Sequence, residues 1–153
     1  MERHSRLIRR GIVIVATASA LTACAGDDKD EALQLAQEAC AVDYPDVAGD
    51  PFTDTAARQQ ARDKLIPRIE EAADKSAQAA RLDDTWQPLA TAFNRAAELA
   101  SVTTELGDLR DTQVSGGYSE PADVDRDSQL DARRTKLING LDEPSVTGEC
   151  RKT

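Results

Sequence analysis

The chain has 153 residues and a formal net charge of −9, with 40% hydrophobic but only 3% aromatic residues. That length suits one domain. The acidic excess argues against nucleic acid and anionic lipid headgroups as partners, since both demand a basic surface.

The first ten residues carry Arg3, Arg6, Arg9 and Arg10 against Glu2, and Gly11 to Ala23 then run thirteen residues without a charge. A basic start, a short apolar run and small residues before Cys24 have the layout of a signal peptide. A membrane-crossing helix needs roughly twenty apolar residues, so the run reads as a removed signal rather than a permanent span. Here the chain resembles bacterial lipoproteins: Leu21-Thr22-Ala23-Cys24 matches their lipobox. The resemblance implies a diacylglyceryl thioether on Cys24, cleavage before it and, in some species, acylation of the new amine. Each buried methylene contributes about 0.8 kcal/mol, and a single chain holds only weakly, so two or three chains would keep the protein on its membrane. Arg9-Arg10 hints at twin-arginine export, whereas Gly11-Ile12-Val13 departs from that pattern, and the route stays open. The expected organisation is a signal peptide over 1–23, a lipidated tether over 24–29, too polar to pack, and one helical domain over 30–153.

Without residues 1–23 the chain holds 15 basic and 27 acidic residues, a net charge of −12, and has lost its one histidine, His4. Ser-His and Cys-His nucleophile pairs are then excluded, and the commonest transition-metal ligand is gone. No serine has lysine three residues later. With Cys24 acylated, Cys40 and Cys150 remain, and outside the cytoplasm an even pair is expected to form a disulfide.

Leu, Ile, Val and Phe supply only 22 of those 130 residues, a composition close to that of disordered chains. Periodicity argues for helices instead. Residues 30–42 place Leu33, Ala36 and Cys40 on one side before Asp43-Tyr44-Pro45 ends the pattern. Residues 54–82 read as a helix with Asp54 as its cap and Ala57, Ala61, Leu65, Ile69, Ala72 or Ala73, and Ala80 on one face; Pro67 must kink or split it near Lys64. Asp83-Asp84-Thr85 supply the next start, with Thr85 as cap and Pro88 in the first turn. Trp86, Leu89, Phe93, Ala96 or Ala97, Ala100, Thr103 and Leu106 then recur at helical spacing, and the short link at 82–85 makes the two helices an antiparallel hairpin. Residues 43–53 and 107–121, the latter with Ser115-Gly116-Gly117-Tyr118, are rich in turn formers. A last helix over 122–141 offers Leu130, Leu137, Ile138 and Leu141, with Asn139-Gly140 at its end. The expected fold is all-α: a small three- or four-helix bundle on a long antiparallel hairpin, stapled by one disulfide.

Asp123, Asp125 and Asp127, with Asp131 beyond, are the one constellation with metal-loop spacing. An EF-hand requires Gly at its sixth position and Glu at its twelfth, where this chain has Ser128 and Arg134. The acids suit the first turn of a helix instead. Trp86 beside Leu89 and Phe93 reads as core. Glu70-Glu71 and Asp83-Asp84 point in different directions as helical neighbours and read as a solvated face and a cap.

The alanine-rich helical body, the Asp83-to-Leu89 stretch and a cysteine near each end are similar to small actinobacterial envelope lipoproteins of unassigned activity, a resemblance that carries no functional residue across. The sequence therefore points to a non-enzymatic module held at the extracytoplasmic face of the membrane through Cys24, with no cofactor, contacting another envelope protein or a wall polymer. A small-ligand carrier or sensor would need a sizeable pocket between helices. A carboxylate- or metal-dependent enzyme would need three or more carboxylates converging in a concave site.

Overall fold

A computed structural model describes residues 24–116, 120–140 and 144–153; the expected signal peptide over 1–23, Tyr118 and Leu141 lie outside the described residues. Ten of the fifteen buried apolar residues described are alanines. A side chain of one methyl buries little area, so these helices gain packing by bringing their backbones close together.

The fold is all-α. Helix α1 (Cys24–Cys40) leads to an irregular loop, after which α2 (Thr55–Gln60), a π-helical turn (Ala61–Leu65) and α3 (Ile66–Leu82) form one continuous helical rod. A 3₁₀ turn (Asp84–Trp86) reverses the chain into α4 (Gln87–Gly116); α5 (Pro121–Asn139) returns along α4, and the short α6 (Val146–Cys150) closes the chain. Asp54 caps the rod as expected, its Oδ1 accepting from the Ala57 N–H at 2.8 Å. No helix among the described residues is long and apolar enough to cross a membrane.

Three boundaries differ from the sequence expectation, each for a physical reason. Helix α1 includes every described residue from Cys24, rather than starting at residue 30, so the expected tether over 24–29 is helical. Gly26 to Glu31 are nevertheless exposed, and Asp27 in the first turn suits the helix dipole. The disruption expected near Lys64 is present as a change of winding: the π turn Ala61–Leu65 separates α2 from α3, and the chain stays helical through it. The π turn takes up the disruption, with the Ile66 N–H reaching back five residues to the Ala61 carbonyl, and Pro67 falls in the first turn of α3, where its missing donor costs nothing. At the hairpin the cap is Asp83 rather than Thr85: the Asp83 carboxylate accepts from the Thr85 N–H at 3.0 Å. Finally, α4 continues through Gly107 to Gly116, although residues 107–121 read as a link. Gly107 is buried inside that helix, where packing outweighs its poor helix propensity of about 1 kcal/mol.

The buried residues fall into two clusters along the α3–α4 hairpin. The proximal core combines Ala36 and Ala39 of α1, Ala72, Ala73 and Ala79 of α3, and Leu89 and Phe93 of α4; Trp86, Val42, Val146 and both bridged cysteines pack at its edge. Trp86 is thus part-buried, supporting the core from its margin. The distal core is smaller: Val102 and Leu106 of α4 meet Leu130 of α5, with Phe52, Leu109 and Leu137 around them. Cys40 and Cys150 form a disulfide, with Cα atoms 5.5 Å apart and a separation of 110 positions in sequence. The bridge ties the end of α1 to α6.

Two measurements test this division. Phe93 is the largest apolar side chain fully buried, so Phe93→Ala should destabilise the protein by about 3 kcal/mol or more, read as a fall in denaturant midpoint; an unchanged midpoint would displace it from the core. Reduction of Cys40–Cys150 should lower the melting temperature by several degrees, since closing a loop of this length contributes about 4 kcal/mol in the chain-entropy description. Reactive thiols at positions 40 and 150 in the native, air-purified protein would contradict the bridge.

Candidate functional site

The most elaborate polar assembly among the described residues lies in the distal half, centred on a residue the sequence did not single out. That residue is Arg58 of α2, whose side chain is only 1% exposed. Nη1 donates to the carbonyls of Pro51 and Phe52 at 3.2 and 3.1 Å. Nη2 donates to Thr55 Oγ1 at 3.1 Å and also meets the Asp111 carboxylate. Nε donates to Asp108 Oδ1 at 3.2 Å. A guanidinium has five N–H groups, and all three nitrogens are engaged by oxygens of the protein.

Each partner is placed by local structure. The Pro51 and Phe52 carbonyls come from a loop turned at Gly49, whose φ of +96° lies in the region that favours glycine. Asp50 Oδ1 accepts from the Phe52 N–H at 2.9 Å and fixes the turn. Asp108 and Asp111 lie one turn apart on α4, on the face toward α2. Thr55 Oγ1 also donates to Asp111 Oδ2 at 2.7 Å. This hydroxyl, followed by the Arg58 charge and hydrogen bond, holds the Asp111 carboxyl below its ordinary range. The contribution is present above the usual aspartate pKa and is lost as pH falls through the lowered value.

Gly107 gives the guanidinium its room. A Cβ there would lie 2.6 Å from Arg58 Nη1 and 2.7 Å from its Cδ, closer than any side chain tolerates. A glycine inside a helical pattern is a recognised sign of such close approach, and it is the one sequence signal that could have pointed to this assembly.

A second layer extends toward α5. Arg62 pairs with Asp108, and the guanidiniums of Arg110 and Arg134 lie 4.8 and 4.5 Å from the centroid of the Phe52 ring, within cation–π range. Arg110 also binds Asp127 through Nε at 2.7 Å and reaches Asp131 at 3.2 Å. This places the expected metal-loop acids. Asp127 is an ion-pair partner, its carboxyl held low chiefly by the Arg110 hydrogen bond. Asp123 and Asp125 stand on α5, with Asp125 exposed. A helix spreads alternate residues around its circumference, so the three do not converge. Among the described residues, no group of three or more His, Cys, Asp or Glu could hold a metal ion.

The other acidic pairs resolve similarly. Glu71 joins Arg68 and Lys75, Glu70 is exposed, and Asp83 is the cap described above. The surface recesses run from about 260 to 400 Å³ and are lined mainly by charged side chains. The largest, between α4 and α5, is bordered by Arg95, Glu98, Arg133 and Lys136, with Arg133 Nε donating to Glu98 at 2.7 Å. Of the expected site residues, Cys40 and Cys150 are brought together, while Cys24, the first described residue, lies at the other end of α1.

The Arg58 guanidinium therefore holds structure, with each of its nitrogens engaged by protein oxygens; in the second layer the Arg134 Nε is buried without a hydrogen-bond partner. Gly107→Ala should destabilise the protein by about 1 to 3 kcal/mol through the forced displacement of Arg58, although alanine is the better helix former by about 1 kcal/mol. Arg58→Met should cost about 3 kcal/mol, since it strands the two loop carbonyls. In the double variant the penalties should fall well short of additive, because one side chain mediates both. A Gly107→Ala protein that melts higher than the wild type would show that the close approach does not constrain the fold.

No protein-family model, no curated protein and no solved structure matches the chain, so its function has to be read from its own residues.

Proposed function

We propose that this protein is a lipoprotein of the cell envelope: a helical module tethered through Cys24 to the extracytoplasmic face of the membrane, with no catalytic activity of its own, that contacts another envelope protein or a wall polymer. The observation that carries this reading is the junction at Leu21-Thr22-Ala23-Cys24, reached after a basic start and thirteen uncharged residues.

Three further features support it. The disulfide between Cys40 and Cys150 suits an oxidising compartment. After removal of residues 1–23 the chain has no histidine, and many of its carboxylates are neutralised by guanidinium or ammonium partners. The recesses described are lined mainly by charged side chains, whereas pockets that enclose small ligands are lined chiefly by hydrophobic and aromatic groups. What the surface offers instead is long, charged helical faces suited to contact with a macromolecule.

The decisive experiment is metabolic labelling with a fatty-acid analogue. Wild-type protein should take up label and migrate as a cleaved form. Cys24→Ala should abolish labelling and accumulate the uncleaved precursor. Unchanged labelling in that variant would remove the basis for the proposal. Crosslinking of the labelled protein in intact cells then identifies what it contacts.

A further inference from the structure

The chain is already helical at Cys24, the first described residue, and this has a geometric consequence if the anchor is there. A lipid on Cys24 would pass directly into a helix, with no flexible stretch between membrane and fold. Gly26 to Glu31 are all exposed, and a Cβ on Gly26 would meet nothing within 4 Å. The first buried residue is Ala32, about 12 Å from Cys24 at 1.5 Å per residue.

The direction of this extension is fixed by how α1 lies on α3. Lys75 Nζ of α3 is 3.3 Å from Glu38 Oε2 of α1. Asp43 and Pro45, just past the end of α1, border the same recess as Asp63, Lys64 and Pro67 around the start of α3; counting back from Glu38 and forward from Lys75 by the same helical rise sets residue 30 level with Asp83. The two helices are thus antiparallel, and residues 24–28 project beyond the end of the bundle that carries the α3–α4 turn. Helix α4 starts at that end and runs thirty residues away from it, about 45 Å. The extension is not built to lie flat in a membrane interface. Asp27, Asp28, Asp30 and Glu31 give it four carboxylates, whereas an interfacial helix needs a broad apolar face.

We infer that the lipidated protein stands end-on, with α1 as a rigid post between the lipid surface and the bundle, so that the α3–α4 turn faces the membrane and the far end of the α4–α5 hairpin points away from it. The inference rests on the lipid-anchor reading and adds an orientation to it. The facing end is acidic, with Asp83 and Asp84 beside the post, so repulsion from anionic headgroups maintains clearance within the Debye length of about 8 Å at physiological salt.

The test measures height above a bilayer. Lipoprotein purified from membranes is reconstituted into vesicles of zwitterionic and anionic phospholipid that carry an energy-transfer acceptor at the headgroups. A donor is attached through an azide-bearing residue at Gln87 or at Val114, both exposed positions on α4. The expected heights differ by about 40 Å, the helical rise between the two positions. Equal heights would mean that the bundle lies down, and would overturn the inference. Asp30→Pro breaks the post without touching the cores and should reduce the difference by at least half; retention of the full difference in that variant would show that α1 is not what holds the bundle upright. Failure of the anchor reading looks different, because the chain then carries no lipid. In that case the full chain is coupled through the Cys24 thiol, free while Cys40 and Cys150 are bridged, to a maleimide lipid, and the same two heights are read.

Discussion

Arg58 brings a full positive charge into a region where the chain has few apolar residues to spare, and every nitrogen of its guanidinium meets an oxygen supplied by the fold. Two of those oxygens belong to the loop before α2 and two to carboxylates on α4. One side chain thereby fixes the loop, the start of the helical rod and the outer half of α4 relative to one another. The carboxylates are about half exposed, so they keep part of their hydration while the guanidinium loses its own. That asymmetry lowers the cost that makes fully buried ion pairs poor stabilisers. The aliphatic stem of Arg58 also fills volume that a larger hydrophobic side chain would otherwise occupy.

The two halves of the bundle are held by different means. The proximal half has a true apolar centre in Leu89 and Phe93, framed by alanines on three helices and closed by the disulfide. Among the described residues the distal cluster consists of Val102, Leu106 and Leu130, with the small Ala57 and Ala61 also buried on the facing rod. Around that small centre the chain arranges charges: Arg58 with Asp108 and Asp111, Arg110 with Asp127 and Asp131, and two guanidiniums against the Phe52 ring. Exposed ion pairs contribute little individually, but these share partners and are organised about one buried member, which gives the distal half a defined geometry in place of a large core.

The π turn is where the helical rod accommodates both demands. Pro67 removes a donor that an α-helix would use, and widening the turn by one residue lets the chain continue without a break. The same stretch carries Arg62, which reaches across to Asp108 and lies near the Thr104 carbonyl. A rigid rod more than two dozen residues long thus runs the length of the hairpin, and α1, packed on its proximal half, inherits its direction.

Much of this was legible in the residues alone. Helical periodicity placed the hairpin, because a face of alanine, leucine and phenylalanine at spacings of three and four has one low-energy partner in water, another such face. The Asp54 cap and the pairing of Cys40 with Cys150 followed from local chemistry and from cysteine number. The candidate site was not legible. Arg58 looks like any charge on an amphipathic helix, and its burial depends on Gly107, Asp108 and Asp111, about fifty residues along the chain. Gly107 itself read as the start of a link, since an isolated glycine signals both a turn and a close approach, and only a neighbouring helix distinguishes them. The helicity of residues 24–29 was hidden for the opposite reason: a polar stretch has no periodicity to show, and it is helical because it prolongs a helix nucleated by packing further along. Local pattern and composition therefore determined which segments are helical, which faces are apolar and which residues form the covalent bridge. Tertiary structure decided which charge is buried, which carboxylates become its partners and in which direction the first helix leaves the bundle, because those depend on contacts between residues far apart in the chain.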